Sequence, residues 1–283
     1  MEFRYENQAG SLCFCGGGGL WNITDVSGLG LVEKSFQVVS YAMTEGQITL
    51  SEKATARHIT LRGDCRADRA EISRGVRVLN QKGYISLLAG SVTRRIEAYC
   101  SHFEMEKPRH GLRTFIIQFT ADDPYFEGAE TMCRALYSRE DLISSSFTLP
   151  CVFTKGITDC MVCNDGDVRC EPVFTVMCKK VGENTDQHGF SIQNHTTGHS
   201  IQLEYDMAKN EMITIDIAKR QIVSNLQTED NYNGNLIYFL SDDSFLHTMF
   251  MEVGDNHFST VNYSGADMII RCEVKEKHLE AVI

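Results

Sequence analysis

The sequence predicts a mainly β protein, in which a β-rich α+β domain with one clear helix precedes a β-sandwich. Three observations predict this class: runs that alternate polar and apolar residues, one segment with helical spacing, and turn residues between short runs. The chain has 283 residues, of which 42% are hydrophobic and 23% charged. That length suits about two domains at ~150 residues each. We therefore expect packed cores and not general disorder.

The first half contains four segments with the character of strands. Residues 31–42 are rich in β-forming residues, and residues 56–62 place Ile59 and Leu61 on one face. Two further segments, 92–104 and 112–121, also alternate between two faces. We expect these segments to form the sheet of the first domain.

One segment of the first half has helical spacing instead. Within residues 66–81, the apolar side chains lie near one side of a helix, and Gly83 is placed to end it. The other side is basic and contains Arg66, Arg69, Arg74 and Arg77. Acidic residues alternate with these arginines, namely Asp64, Asp68 and Glu71. We therefore expect a solvated helix face or a salt-bridged seam between subunits, and not a phosphate site.

The middle of the chain predicts a domain boundary. Residues 128–138 could form a short helix, and a polar, serine-rich stretch that ends at Pro150 follows. We assign residues 1–140 to the first domain, 141–170 to a connector with a cysteine-rich loop, and 171–283 to the second domain.

The second half shows only short strand-like runs between glycine, asparagine and aspartate clusters. Regular spacing of this kind is typical of an all-β sandwich. The runs are residues 172–180, 189–194, 199–205, 212–218, 221–226, 236–240, 257–263 and 267–274.

Charge and cysteine content narrow the function classes. The chain has 27 Lys and Arg residues and 38 Asp and Glu residues, so its formal net charge is −11. This acidic balance argues against a protein that binds nucleic acid over a wide face, because phosphate binding needs a basic surface. The start of the sequence lacks the pattern of a secretory signal, and no run reaches the ~18 apolar residues of a membrane span. We therefore expect the 11 cysteines to be free thiols formed in a reducing cytoplasm.

The candidate metal ligands are four cysteines of the connector and the strand after it. Cys160 and Cys163 have the C-x-x-C spacing of a zinc knuckle, with Cys170 and Cys178 downstream. The seven-residue gap within the second pair is unlike a knuckle, and the alternative is that these thiols pack as small apolar groups. A metal-dependent hydrolase built on this cluster is therefore one competing hypothesis.

Other motifs for chemistry are weak or absent. Gly16–Gly19 lacks the lysine and serine or threonine of a phosphate-binding loop, so we interpret it as a flexible loop. Asp122 and Asp123 precede a proline at a strand end, which indicates a solvated turn and not an acid–base pair. No nucleophile elbow or H-E-x-x-H motif occurs. We expect no catalytic residue.

Short motifs over most of the chain resemble those of the distal tail protein family of long-tailed phages and related contractile particles. In chain order they are Gly46-Gln47, Arg57-His58-Ile59-Thr60-Leu61-Arg62-Gly63, the helix 66–81, Gly83-Tyr84, Arg94-Arg95-Ile96-Glu97-Ala98-Tyr99, residues 115–128, Pro172-Val173-Phe174, Ile192-Gln193-Asn194, Thr196-Thr197-Gly198, Ile213-Thr214-Ile215-Asp216, Ser244-Phe245 and Gly254-Asp255-Asn256. Gly16–Gly19 and the dense cysteines depart from the family pattern.

This resemblance implies a structural protein of the virion tail tip or baseplate, assembled in the host bacterial cytoplasm, and not an enzyme. It implies a ring-forming first domain, a hexameric assembly, and a galectin-like second domain. The implied partners are the tail tube protein, a baseplate hub or tail-associated protein, and receptor-binding proteins. DNA would pass the lumen without specific binding, which an acidic chain favours. No cofactor is implied, apart from the zinc considered above.

Unpaired strand edges invite a neighbouring chain, so we expect ring closure through residues 31–62 and 92–121. The main alternative is a carbohydrate-binding module that acts in cell-surface adhesion. That alternative needs exposed aromatic side chains on the second domain, for which the candidates are Tyr205, Tyr232, Tyr238 and Phe239.

Overall fold

A computed structural model describes residues 2–17, 19–43, 45–90, 92–107, 111–141, 154–182, 184, 186–227 and 231–281. The protein is mainly β, as predicted: its described residues contain 19 strands, one α-helix and three short 3-10 turns. The chain divides into two compact units, residues 1–129 with 277–283 and residues 130–276. The predicted connector, 141–170, therefore overlaps the second unit. Its residues 142–153 lie outside the described ranges.

The first unit is built on a sheet that closes on itself. The strands are β1 (Glu2–Asn7), β2 (Gly10–Cys15), β3 (Trp21–Ser27), β4 (Lys34–Val39), β5 (Ile48–Ala54), β6 (Arg57–Cys65), β7 (Gly83–Ala89), β8 (Val92–Met105) and β9 (Arg113–Ala121). The order β8-β7-β1-β2-β3-β6-β9 closes because the first half of β8 pairs with β7 and the second half with β9. Among the strands that the structure describes, β4 and β5 pair with each other and with no other strand.

The inner face of this closed sheet is one of the two faces that the alternation separates. Phe115, Ile117 and Phe119 of β9 are fully buried, as are Ile59 and Leu61 of β6. The aromatic side chains pack on one another, with ring centroids of Trp21 and Phe115 5.2 Å apart. Burial of apolar area therefore stabilises the predicted strands of this unit.

The predicted helix is confirmed as α1 (Arg69–Leu79). It begins after Asp68, whose Oδ1 accepts a hydrogen bond from the backbone N–H of Glu71 at 2.8 Å. Val78 and Leu79 are buried against the sheet. The helix ends at Asn80, and Gly83 begins β7, so the prediction that Gly83 ends the helix was wrong.

The helix predicted over 128–138 was also wrong, because these residues belong to the long strand β10 (Phe126–Asp141). Glu127 and Gly128 pair with β8 in the first unit. In the second unit, Ser138 pairs with Ile157 of β11 (Thr154–Ile157). Long-range pairing decides the conformation of β10 over the local helix propensity of its Ala, Glu, Met and Leu residues.

The second unit is a two-sheet sandwich. Its further strands are β12 (Asp159–Asn164), β13 (Val173–Lys180), β14 (Phe190–Asn194), β15 (His199–Leu203), β16 (Met212–Asp216), β17 (Gln221–Ser224), β18 (Gly254–Asn262) and β19 (Asp267–His278). One sheet has the order β17-β16-β13-β19-β10 and the other β12-β18-β14-β15. Phe174 and Phe258 meet between the sheets, with ring centroids 5.9 Å apart. The run 236–240 forms a 3-10 turn (Ile237–Phe239) and not the predicted strand.

Buried asparagines explain two motifs of the second half. Nδ2 of Asn194 donates to the carbonyl oxygen of Phe250 at 3.0 Å, and its Oδ1 accepts from the N–H of Thr196 at 3.0 Å. Asn256 hydrogen-bonds both the N–H and the carbonyl of Glu252. These fully buried amides satisfy the main chain of the loops beside β14 and β18, and therefore have a structural role.

In the part of the chain that the structure describes, no helix has the length and apolar character needed to span a bilayer.

Candidate assembly surface

The cysteine candidates are not brought together as a ligand set. Cys160 and Cys163 both lie on β12, three residues apart, and side chains alternate along a strand. Cys160 therefore faces the core, whereas Cys163 faces outward beside Asp255 of β18. Cys170 and Cys178 are fully buried in the apolar core. Across the described residues, no three His, Cys, Asp or Glu side chains are grouped to hold a metal ion.

The environment of Cys163 also opposes metal binding. Its thiol donates a hydrogen bond to Oδ1 of Asp165 at 2.9 Å. This hydrogen bond raises the pKa of Cys163 to about 12, and desolvation and the Asp255 carboxylate add to the effect. Because zinc binds the thiolate, a thiol that keeps its proton is a poor ligand. These four cysteines do not fit a zinc site, and the ten described cysteines are free thiols.

The arginines of α1 lie on its solvent side. Arg69, Arg74 and Arg77 are exposed, and α1 presents only Gly75, Val78 and Leu79 as buried residues. Among the residues that the structure describes, Arg74 and Arg77 form no ion pair within 4.0 Å. The basic face is thus exposed in the single chain, as a solvated helix face would be, and the subunit seam stays a prediction.

The most distinctive surface of the first unit is the β4–β5 hairpin. Nearly all of its side chains are exposed, and many of them are large and apolar. The exposed apolar residues of this hairpin and its flanks are Leu31, Phe36, Val38, Tyr41, Met43, Ile48 and Leu50. Contiguous exposed apolar residues mark interaction sites in soluble proteins. A lone two-stranded hairpin is also marginally stable in water, so a partner surface would stabilise it.

The base of the hairpin, in contrast, is firmly held by Arg57. The Nη1 atom of Arg57 donates to the carbonyl oxygens of Gly28 and Gly30 at 2.8 and 2.7 Å. Its Nε donates to the carbonyl of Pro124 at 2.6 Å, and Nη2 to that of Leu279 at 2.6 Å. In the sequence, Arg57 stands out only as the first residue of the motif at residues 57–63. Nothing local in the sequence indicates this role, because its four partners lie between 27 and 222 residues from Arg57 along the chain.

The other strands predicted to close a ring are largely paired within the closed sheet. β6 pairs with β9 over Arg57–Cys65 and with β3 over Thr60–Cys65, whereas β8 pairs with β7 over Val92–Ala98 and with β9 over Tyr99–Met105. The closed sheet thus occupies much of the edge that the sequence suggested for residues 56–62 and 92–121. Among the described residues, both strands of the β4–β5 hairpin keep a free outer edge along their whole length. It is the candidate assembly surface of the first unit.

The second unit offers little of what a sugar platform needs. Tyr205 packs on Phe239 with ring centroids 5.0 Å apart, and both contact the core. Tyr238 points away and is 89% exposed. The side chain of Tyr232 lies outside the described parts of the structure. Of the other three aromatic candidates, Tyr238 alone could stack on a sugar.

The comparisons with known proteins agree with this architecture. Residues 165–272 match the family described as siphovirus-type tail component, C-terminal domain. This segment is therefore similar to the C-terminal domain of siphovirus-type tail components. It includes most of the sandwich strands, from β13 to β18, and much of β19. The buried Cys170, Cys178, Asn194 and Asn256 all lie within the matched segment.

The whole chain also has the fold of solved tail proteins. It is similar to the crystal structure of the SPP1 Dit (gp 19.1) protein, described as a paradigm of the hub adsorption apparatus in phages that infect Gram-positive bacteria. The TM-score is 0.62 at 12% identity, over 89% of this chain and 92% of that one. The chain is also similar to a chain of the phage P2 baseplate in its activated conformation with Ca. The TM-score is 0.51 at 10% identity, over 95% of this chain and 97% of that one. Among curated proteins, none matches the chain.

Proposed function

We propose that this chain is a structural protein of the distal tail or baseplate hub of a phage or a phage-tail-like particle. The observation that supports this most is the tail-component domain at residues 165–272. The fold likeness to SPP1 Dit extends over both units and supports the same function for the whole chain. In this role the protein joins the tail tube to the tip or receptor-binding apparatus.

The first unit forms the ring, and we propose the hexameric state for it. The exposed hairpin β4–β5 provides an apolar surface that a neighbouring copy can cover. Its anchored base lowers the entropy lost on binding, because Arg57 already fixes the two ends. The partners in this proposal are the tail tube protein, a baseplate hub or tail-associated protein, and receptor-binding proteins.

The same proposal assigns the protein no catalysis and no cofactor. The thiol of Cys163 is held protonated, and the buried Cys170 and Cys178 contribute to packing. The sandwich of the second unit is proposed to be galectin-like, with a role in contacts at the tail tip. The net charge of −11 suits a ring through which DNA passes without being held, since like charges repel.

The experiment is immunogold labelling of purified particles by negative-stain electron microscopy. An antibody against this chain should label the tip of the tail, at the end remote from the head. Labelling spread along the tube or on the head would contradict the proposal, as would particles that lack the chain. An antibody against the tail tube protein, which should label the full tube length, is the matched control.

A further inference from the structure

The strand β12 is an end strand of the second unit, in the sheet with the order β12-β18-β14-β15. Just before β12, the N–H of Thr260 donates to the carbonyl oxygen of Thr158 at 2.9 Å, so these two opposed residues form a hydrogen-bonded pair. Such pairs occur at every second residue of an antiparallel ladder. The N–H and carbonyl groups of Cys160, Val162 and Asn164 therefore point to β18.

The same alternation turns the main chain of Asp159, Met161 and Cys163 away from β18. The contacts of β18 agree with this, because the carbonyl of His257, opposite Met161, accepts from the N–H of His195 on the other side of β18. Within the described residues, no strand pairs with the outer edge of β12. An unpaired ladder of this kind is a template for an added strand.

The strand at the opposite end of this sheet, β15, has its outer edge covered by the chain itself. The N–H of Ser241 donates to the carbonyl oxygen of Gln202 at 3.0 Å, and the N–H of Glu204 donates to that of Phe239 at 2.8 Å. The described chain therefore protects one end of the sheet and leaves the β12 end open.

The side chains along this open edge are acidic at both ends and apolar between them. Asp159 is exposed on the strand, and Met161 is 54% exposed. The thiol of Cys163 donates to Oδ1 of Asp165 at 2.9 Å, and Asp255 is its neighbour across the strand pair. In the described part of the chain, Asp165 and Asp255 have no ion pair within 4.0 Å. The edge therefore favours a strand with basic side chains.

A second copy of β12 is a poor occupant of this edge. In an antiparallel pair of two β12 strands centred on Met161, Asp159 of each copy would face the two carboxylates beside Cys163 of the other. Like charges that face each other across a strand pair destabilise it. Nε2 of His257 hydrogen-bonds Asp159, which offsets only one of the three carboxylates in each copy.

We propose that β12 receives an extended, basic segment of another tail protein, which adds a strand to the β12-β18-β14-β15 sheet. The inference rests on the proposed function, because it takes the partner from the proteins that adjoin this chain in the tail. Main-chain hydrogen bonds to Asp159, Met161 and Cys163 provide the affinity. Basic side chains of the segment, placed beside the carboxylates, fix its register on the edge.

Amide hydrogen exchange tests the added strand by comparing the free full-length chain with the same chain in purified particles. Mass spectrometry with electron-transfer fragmentation resolves single N–H groups. Those of Asp159, Met161 and Cys163 should exchange at least about tenfold more slowly in the particles. The N–H groups of Cys160 and Val162, which point to β18, are the matched control and should exchange slowly in both states.

Three results of this experiment would overturn the proposal. The first is equal exchange of the three outward N–H groups in the free chain and in the particles. The second is protection already present in the free monomer, which would mean that the chain covers its own edge. The third is protection that rises with the concentration of the free chain, which would mean that a second copy covers it.

A charge reversal tests the basic character of the segment. Asp255→Lys places a positive charge beside the edge, and Asp242→Lys reverses an exposed carboxylate elsewhere on the second unit as the matched control. Circular dichroism checks that both variants fold. Asp255→Lys alone should lose the protection in particles or fail to enter them, and equal behaviour of the two variants would overturn a basic partner. Particles with labelled tail tips but no protection at β12 would overturn this contact and leave the proposed function intact.

Discussion

Arg57 has a positive charge inside the first unit, and four main-chain carbonyl oxygens surround it in place of a carboxylate. The side chain is 5% exposed, and its guanidinium lies 4.5 Å from the ring centroid of Phe126. Burial lowers the pKa of Arg57. The planar fork of arginine reaches several acceptors at fixed angles, which the single ammonium of lysine cannot do. Arg57 therefore joins the hairpin base to the returning C-terminal residues.

Replacing Arg57 by lysine should destabilise the protein even though the charge is kept. Most of the four hydrogen bonds would be lost and buried carbonyls left without donors, for which we expect a loss of about 3 kcal/mol in the free energy of unfolding. Chemical denaturation followed by circular dichroism measures this change. Arg62→Lys, on the exposed face of the same strand, should change stability by about 0.5 kcal/mol or less. Equal denaturation midpoints for the two variants would show that Arg57 does not hold the hairpin base.

Cys163 provides a second test at the residue scale. Because Asp165 and Asp255 hold its thiol protonated, iodoacetamide at pH 8 should modify it at least about tenfold more slowly than a free cysteine peptide. Asp165→Asn removes the nearer carboxylate and should accelerate the reaction. Peptide mass spectrometry over a time course measures both rates. An unchanged rate in Asp165→Asn would mean that the carboxylate does not control the thiol.

At the scale of elements, strands with clear alternation could be predicted, together with the residues that share a face. Phe115 and Ile117 of β9 share the face that the structure buries, as do Ile270 and Cys272 of β19. The helix α1 was predictable for a similar reason, because its period is local. The helix predicted over residues 128–138 was wrong because the conformation of this segment depends on distant residues and not on a local period. Its partners in the sheets lie far away in sequence, so the pairing that makes it a strand is invisible to local patterns.

Gly63 tests how tightly the closed sheet is packed. A Cβ atom there would lie 1.9 Å from the carbonyl oxygen of Asn22 and 2.8 Å from Cζ of Phe115. Backbone on one side and a core ring on the other leave it no room, so Gly63→Ala should cost about 3 kcal/mol in the free energy of unfolding. Gly16→Ala, where a Cβ meets nothing within 4 Å, is the control and should be nearly neutral. A thermal unfolding midpoint for Gly63→Ala equal to that of the control would contradict the close approach of β3 and β6.

For the whole molecule, the sequence predicted the mainly β class and the resemblance to tail proteins, but not the surface that would assemble. The cysteine spacing left zinc binding and apolar packing as alternatives, and strand alternation, which sends Cys160 and Cys163 to opposite faces of β12, favours packing. The sequence of the β4–β5 hairpin has the pattern of an ordinary pair of strands. The structure shows that its apolar side chains are exposed. Exposure depends on the packing of the entire unit, and local sequence patterns do not contain that information.

The central claim is that this chain forms a closed ring between the tail tube and the tip. Cryo-electron microscopy of the tail end of purified particles, averaged with and without imposed symmetry, tests it most directly. We expect a hexameric ring at the end of the tube into which the first unit fits, with a hairpin at each subunit contact. A tail end whose density contains no ring, or a ring that the first unit does not fit, would contradict the account.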